Sequence, residues 1–506
     1  MRIVILCIIF AHIPLMWIRA DNADRMLNNL VLTCCDDQDY QTLAINLLFG
    51  KGYSQSISVP FEAYHLALDT ITTRSQKATY ERIGVQSAVP GFYRPPGLPI
   101  LLALTYTLIG NNPLNARRML AMQAVATAFL LYFTGIALNK RLGSIAGGFA
   151  AVYFLNFQPG LIQPLAVSYG ALTTEAPTAF WVALFCLPFI SYLKSNRTAY
   201  LLIAACALAG AVFTRPNLLP AAILLLVYLL ITRRRLAHCI LFIVINVAPL
   251  IGWSLYASKA AGQFVAFTTQ SDSLFAETNN MEMLQGSIQN SPGDWSPGYA
   301  KDAQGNVYIT FANDPVAGQS GWSKGLLFWR DNLTLLPRLF YTKLFAGFWN
   351  FYGFSVNGLQ PERFHLLGIG FLIAALGLRM PTNERAFFTS KRSMLIVGLL
   401  LLLIFVAGNH LNFSATIVIW FTIMICALIS PYGDRLKLDL APTTWFLAFI
   451  GCHLITTLVF YGIRFHWPLD TNLMLFSFIG ILVVLEQFIH YATQNLPKIA
   501  VRKNIF

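Results

Sequence analysis

The sequence predicts an all-α polytopic membrane protein with about twelve transmembrane helices. Hydrophobic residues make up 56% of the 506 positions and charged residues only 11%, whereas soluble domains carry about 25% charged residues. Apolar runs close to the ~20 residues that cross a bilayer recur along the chain. Basic residues gather in short segments between those runs, as they do in the cytoplasmic loops of membrane proteins. These three observations together define the fold class.

The apolar runs and the polar segments divide the chain into three parts. Residues 1–257 are expected to form an N-terminal transmembrane module, residues 258–363 a large extracytoplasmic loop, and residues 364–506 a C-terminal transmembrane module. The expected spans are 2–18, 119–138, 144–162, 176–193, 198–213, 217–232, 236–257, 364–380, 394–408, 413–429, 441–462 and 471–488. No small-x-small cleavage site clearly follows the first run, so we expect a retained span there rather than a cleaved signal peptide.

The segment 97–110 decides the orientation of the chain. Its apolar part is too short for a regular span and fits an interfacial or re-entrant helix. If it stays at one face, the basic segments all fall on the side of the N-terminus; they are 139–141, 193–197, 232–235, 383–392, 433–437 and 497–503. We therefore expect both termini in the cytoplasm, and segments 19–118 and 258–363 outside, in a bacterial inner membrane.

The net charge of +13 is explained by this loop asymmetry, so it does not indicate nucleic acid binding. The partner that composition implies is membrane lipid. The eight cysteines show neither CxxC nor Cys/His metal spacing and indicate no zinc site.

Each outer segment is expected to carry helices beside the membrane. In the first, apolar residues at helical spacing follow three acids and precede two glycines that end the helix; they are Tyr40, Leu43, Ala44, Leu47 and Leu48. The second is turn-rich over 289–308 and becomes amphipathic and aromatic over 338–354, which suggests helices on the membrane surface. The first outer segment is the more informative because of its acids.

Asp36, Asp37 and Asp39 precede that first amphipathic helix. One carboxylate can cap the helix, and others complement its dipole. A single cap explains one acid and leaves two beside a membrane, where unpaired charge is unfavourable. The pattern alone does not decide which of the three acids is the cap.

The ordered motifs resemble those of a known family. The pattern D-x-x-x-Y-x-x-x-A-x-x-L-x-x-G-x-G is met by Asp36, Tyr40, Ala44, Leu47, Gly50 and Gly52. It is followed by "RPPG" (94–97), "LTTEAP" with Glu175, "FTRPNLL" (213–219) and "YGIRFHWPLDTNLMLFSF" (461–478). The set resembles the GT-C glycosyltransferases of the protein-mannosyltransferase and aminoarabinose-transferase type (glycosyltransferase family 39 and relatives) and touches most of the chain in order.

The resemblance implies a GT-C fold and transfer of a sugar at the extracytoplasmic face. The donor would be a polyprenyl-phosphate sugar, the acceptor a lipid, glycan or protein, and the transfer inverting. One carboxylate suffices as general base for direct displacement. Asp36 occupies the position of the family's aspartate and is the expected base, with Asp37 as the second candidate because mannosyltransferases carry an acid pair there. Asp39 is then interpreted as a cap or a solvated carboxylate.

The leaving lipid phosphate needs fixed positive charge. Arg94 is the first candidate, since Pro95 and Pro96 stiffen its turn, and Arg464 is the second; either could instead be an arginine that anchors a helix end. The sequence departs from the family at Trp253, where an arginine-bearing turn is expected. Three basic residues could replace that arginine, and the sequence does not select among them: Lys259, Arg330 and Lys343.

Glu175 matches the family's acid in another outer loop and is a candidate for binding the acceptor or a metal. No cofactor is required by the residues, but acidic loop positions leave a divalent metal ion open. The histidines His65, His365, His410 and His466 show no common spacing, so no metal ligand is assigned.

Two other functions are compatible with part of this pattern. An O-antigen ligase or polymerase also has many spans and a large outer loop, but uses loop arginines and histidines rather than an early aspartate. A transporter would place its polar residues at mid-membrane in two related halves, whereas the acids here lie in the outer segments.

Overall fold

The computed structural model describes residues 2–26, 35–54, 91–110, 113–138, 143–157, 174–262, 264–280, 298–301, 307–310, 321–340, 343, 446–459 and 475. The spans expected at 364–380, 394–408, 413–429 and, apart from Leu475, 471–488 lie outside these residues.

The described part is mainly helical. Its α-helices are α1 Arg2–Met26, α2 Cys35–Leu48, α3 Gly97–Ile109, α4 Pro113–Leu138, α5 Gly143–Phe157, α6 Glu175–Ser195, α7 Thr198–Thr214, α8 Leu219–Ile231, α9 Leu236–Ala261, α10 Gln270–Thr278, α11 Gly321–Asp331 and α12 Phe446–Val459. A 3-10 turn, Pro216–Leu218, joins α7 to α8. Helices therefore occupy the described parts of the expected runs from 119–138 to 236–257 and of the run 441–462.

Four of these helices contain a stretch that is long and apolar enough to cross a membrane: Arg2–Asp21, Leu114–Leu138, Glu175–Ser195 and Leu236–Ala261. α3 has 13 residues and is about 20 Å long, short of the ~30 Å hydrocarbon core. Its length supports the interpretation of 97–110 as an interfacial helix.

The helices pack into two adjoining clusters, and α6 belongs to both. Near its N-terminus Ala179 packs with α1, α3, α4 and α5. Further along, Phe185 and Phe189 pack with α7, α8, α9 and α12. α6 therefore lies at the centre of the bundle, and the residues at its start are held there.

Helices α4 and α5 approach each other closely through glycines. A Cβ added at Gly147 would lie 2.7 Å from the backbone oxygen of Tyr132, and one added at Gly135 would lie 2.9 Å from the Cα of Gly147. In a membrane, small residues stabilise helix pairs because they allow backbones to approach and gain van der Waals contact.

Basic residues meet at one end of the bundle. Lys194 at the end of α6 donates to the carbonyl of Ala137 near the end of α4. Arg234, in the loop after α8, donates to Asn196 Oδ1 at 3.0 Å and to the Leu193 carbonyl at 3.1 Å. The loops after α4, α6 and α8 therefore share one end, which supports the orientation inferred from loop charge.

The opposite end carries the second outer segment. There the Asp272 carboxylate accepts from the backbone N–H groups of Gly321 and Trp322, both at 2.9 Å, and so caps α11. A short antiparallel hairpin pairs β1 Gly298–Lys301 with β2 Val307–Thr310. The turn-rich composition of 289–308 did not predict this hairpin, although Tyr, Val, Ile and Thr in its strands favour extended backbone.

Gly147→Ala is predicted to destabilise the bundle. The added methyl meets backbone atoms of α4 that cannot turn away, so the helices must separate, at a cost of about 1–3 kcal/mol. The measurement is the thermal unfolding temperature in detergent. Gly252→Ala is the control, because a Cβ there meets no atom within 4 Å; equal unfolding temperatures would contradict the close approach.

Candidate active site

The amphipathic helix α2 packs on α3. Its residues Tyr40 and Ala44 are buried in the same cluster as Leu98 and Leu102 of α3. The chain leaves α2 through Gly50 and Gly52, whose φ angles are +69° and +73°, a region that favours glycine. The burial of the predicted apolar residues and the glycine stop are confirmed, but Gln41, Thr42 and Asn46 are buried too, so the opposite side of α2 is not a solvent-exposed polar face.

An ion pair joins α2 to the segment that precedes α3. Arg94 Nε lies 2.8 Å from Asp39 Oδ2, and the exposed fractions of the two side chains are 10% and 36%. The guanidinium carbon also lies 4.9 Å from the ring centroid of Tyr93 and 5.6 Å from that of Tyr40. The interpretation of Asp39 as a helix cap or a solvated carboxylate is corrected, because its charge faces a buried arginine.

The backbone at Arg94 is held by an aromatic cluster. The hydroxyl of Tyr53 donates to the Arg94 carbonyl at 2.9 Å, and its ring packs between those of Phe92 and Trp253. Burial raises the pKa of Tyr53 well above its ordinary value, so the hydroxyl keeps its proton and remains a donor. Trp253 donates in turn to the Phe267 carbonyl at 2.7 Å.

Trp253 marks the position where the sequence departs from the family pattern. Its indole links α9 to the first outer segment through Tyr53 and Phe92. The place of the expected arginine, three residues further on, is taken by Tyr256, whose hydroxyl accepts from the backbone N–H of Tyr53 at 3.3 Å.

Asp36 and Asp37 lie in the first turn of α2. Residues three apart on a helix are neighbours on one face, so position 36 lies one turn from position 39, next to the pair with Arg94. The first turn is also where the helix dipole favours negative charge. The described backbone of α2 therefore puts position 36 one turn before Asp39, the residue that pairs with Arg94.

A second, more deeply buried ion pair lies at the start of α6. Glu175 Oε1 is 2.5 Å from Arg215 Nη2, and Arg215 Nε donates to Thr174 Oγ1 at 2.8 Å. The exposed fraction of the Glu175 side chain is 1%. Sequence reasoning selected Glu175 as a site residue but did not select Arg215. The feature that could have identified Arg215 is "FTRPNLL" (213–219), where a single arginine lies between two apolar helices.

The two pairs are connected through backbone contact. A Cβ added at Gly97, the first residue of α3, would lie 2.5 Å from the nitrogen of Thr214 and 2.6 Å from the carbonyl carbon of Phe213. Only glycine fits this approach. The segment that carries Arg94 therefore rests on the segment that carries Arg215.

Lys343 occupies a different place from the one expected. Its ammonium is buried and donates to Asn279 Oδ1 at 2.6 Å and to the carbonyls of Leu458 and Val459 at 3.0 and 3.3 Å. Burial lowers the pKa of Lys343 to about 7. The lysine thus satisfies the C-terminal carbonyls of α12, and the structure does not bring it to Arg94.

The remaining candidates are resolved only in part. Arg330 is exposed and pairs with Asp331 at 2.8 Å, while Lys259 lies in the last turn of α9. Arg464 and the histidines His65, His365, His410 and His466 lie outside the described residues. Within the described ranges, no group of three or more His, Cys, Asp or Glu side chains is arranged to hold a metal ion.

Asp39→Asn is predicted to lower the thermal unfolding temperature. It removes a negative charge beside a buried guanidinium, and because Asp39 is partly exposed we expect a loss of about 1–2 kcal/mol, below the cost for a fully buried pair. Asp331→Asn, in an exposed pair, is the control and should have little effect. Equal effects of the two substitutions would contradict the importance of the Asp39–Arg94 contact.

Lys343→Met is predicted to change the pH dependence of stability. The unfolded lysine has a pKa of 10.5 and the folded one about 7, so between these values the unfolded chain binds the extra proton. The wild-type free energy of unfolding should therefore rise from pH 7 to pH 10 relative to the variant. Unfolding temperatures at pH 7 and 9 test this, and a constant difference would mean that the carbonyls keep the ammonium charged.

Comparison with known families agrees with the motifs between Arg94 and α9, and the acidic motif 36–52 and the segment 461–478 lie outside the match. Residues 93–255, which begin beside Arg94 and include both Glu175 and Arg215, match the model of the dolichyl-phosphate-mannose-protein mannosyltransferase family. No curated protein matches the chain significantly. The match confirms that this chain resembles the GT-C membrane glycosyltransferases of the protein-mannosyltransferase type.

Proposed function

We propose that the chain transfers a sugar from a polyprenyl-phosphate donor to a lipid, glycan or protein acceptor at the extracytoplasmic face of the membrane. The observation that carries the proposal is the Asp39–Arg94 contact. It holds a buried cation beside the acidic first turn of α2, so that one surface offers a base for the acceptor and positive charge for the leaving phosphate.

Asp36 is the proposed general base. The acceptor hydroxyl oxygen forms a bond to the anomeric carbon while its proton passes to the carboxylate of Asp36. The bond from the anomeric carbon to the phosphate oxygen breaks, and attack from the opposite face inverts the anomeric centre. Asp37 is the second candidate because it lies in the same helical turn.

Arg94 is the proposed phosphate-binding residue. The phosphate gains negative charge as its bond to the sugar breaks, and a cation that is already in place stabilises that charge without reorganisation. The guanidinium lies beside two aromatic rings, and Tyr53 fixes its backbone. An arginine can also form two parallel hydrogen bonds to phosphate oxygens.

The family match supports the donor class, since the family is described by its dolichyl-phosphate-mannose donor. We propose mannose as the first sugar to test, with other hexoses and pentoses as alternatives. The basic loops at one end of the bundle support placing that end in the cytoplasm and the active centre outside, in the inner membrane of a bacterium.

Asp36→Asn is predicted to abolish transfer, with a loss of at least about 100-fold in kcat, because the acceptor proton has no base to receive it. Membranes containing the wild-type or variant protein are incubated with radiolabelled polyprenyl-phosphate hexoses and pentoses, and the labelled product is identified. Asp331→Asn, a carboxylate change on exposed α11, is the matched control and should remain active.

Two outcomes would contradict the proposal. Absence of transfer from every carrier-linked sugar would remove the donor assignment. Activity that survives Asp36→Asn and Asp37→Asn but is lost on substitution of arginines in 258–363 would indicate an O-antigen ligase or polymerase.

A further inference from the structure

A continuous set of buried contacts runs from Glu175 to the segment that carries Arg94. We propose that Glu175 and Arg215, the supporting pair, position Arg94 for the donor phosphate, and that Glu175 therefore acts neither on the acceptor nor on a metal. The inference rests on the function proposed above, and it assigns a positioning role to two residues that do not touch the substrate.

The first step is the fixation of Arg215. Its guanidinium is held along one edge, by Glu175 Oε1 at Nη2 and by Thr174 Oγ1 at Nε. Both acceptors belong to adjacent residues at the start of α6, a helix buried at the centre of the bundle. Because the pair is buried, removing one charge leaves the other uncompensated, so the arrangement strongly favours a single geometry.

The second step is the backbone around Arg215. The residue ends α7 in an extended conformation (φ −140°, ψ 101°). Its N–H donates to the Ala211 carbonyl at 2.8 Å, and its own carbonyl accepts from Leu218 at 3.1 Å. Side-chain and backbone contacts together hold Phe213 and Thr214, the two residues before Arg215, at the outer end of α7.

The third step is the contact with α3. Gly97 lies so close to Phe213 and Thr214 that no side chain fits between them. Only Pro95 and Pro96 separate Gly97 from Arg94, and their rings fix φ at both positions. A shift of the α7 end would therefore be passed to Arg94 rather than absorbed by the intervening backbone.

The burial of Glu175 argues against a direct role. With an exposed side-chain fraction of 1%, its carboxylate can reach an acceptor or a metal only if Arg215 leaves it. Arg94, by contrast, lies at the polar end of α2, beside the partly exposed Asp39. The supporting pair thus lies behind the proposed active surface, whereas Arg94 is part of that surface.

The first test measures, without any substrate, how firmly the backbone around Arg94 is held. Glu175→Gln removes the charge that holds Arg215, and Gly97→Ala disturbs the same contact from the opposite side without touching the ion pair. Hydrogen exchange of the amides in 91–98 should accelerate about tenfold in each variant. Gly252→Ala, on an open face of α9, should leave that exchange unchanged.

The second test measures phosphate binding. The Kd of unsubstituted polyprenyl phosphate, obtained from its stabilisation of the protein against thermal unfolding, should rise about tenfold in Glu175→Gln and Gly97→Ala. In the Arg94→Gln background neither substitution should weaken binding further, because both act through Arg94. With an active labelled donor, kcat/KM for the donor should fall about tenfold, because Arg94 both binds the phosphate and stabilises its charge as the bond breaks. The KM for the acceptor should stay unchanged, a split that general destabilisation would not produce.

The outcomes distinguish failure of this inference from failure of the proposed function. Unchanged exchange in 91–98, or additive effects on Kd, would overturn the inference and leave the proposed function intact. A Glu175→Gln enzyme with a raised KM for the acceptor alone, or with lost dependence on a divalent metal, would also overturn it. If exchange accelerates and the effects on Kd are coupled through Arg94, but the protein transfers no carrier-linked sugar, the positioning role of the supporting pair would be supported. The proposed function would then be contradicted.

Discussion

The contact between Asp39 and Arg94 is the constraint on which the outer surface depends. A guanidinium that is removed from water needs a counter-charge, since the cost of burying an unpaired ion exceeds what packing can offset. Asp39 supplies that charge from α2, so α2 must lie against α3 with its polar end beside Arg94. The position of Asp36 follows from the same contact, because it precedes Asp39 on the helix by one turn.

Close backbone approach explains how these charges are held in a bundle with little hydrophobic driving force between its helices. Lipid is as apolar as the helix faces, so association relies on contact and on polar links. Glycines provide the contact: Gly147 of α5 lies against α4, and Gly97 of α3 lies against α7. Polar links lie at the ends, where Arg118 pairs with Asp21 at 2.9 Å and Lys343 binds the last carbonyls of α12.

The features that were predictable from sequence are those that depend on local pattern. Apolar runs predicted the helices, and the spacing of Tyr40 and Ala44 predicted the buried face of α2. The partner of a charge is a tertiary property, so the pairing of Asp39 with Arg94 was missed even though both residues were named. Lys343 was misplaced for the same reason: a basic residue in an outer loop has the same local signature whether it meets a phosphate or the end of a helix.

The two ion pairs differ in what they permit when a phosphate arrives. Arg215 is paired with a carboxylate that is 1% exposed, whereas Arg94 is paired with one that is 36% exposed. Rehydrating a displaced carboxylate costs least where water already reaches it. If the donor phosphate binds Arg94, Asp39 can turn toward solvent while Glu175 cannot release Arg215 at comparable cost. The exchangeable partner therefore lies at the surface proposed for the donor, and the fixed pair lies behind it.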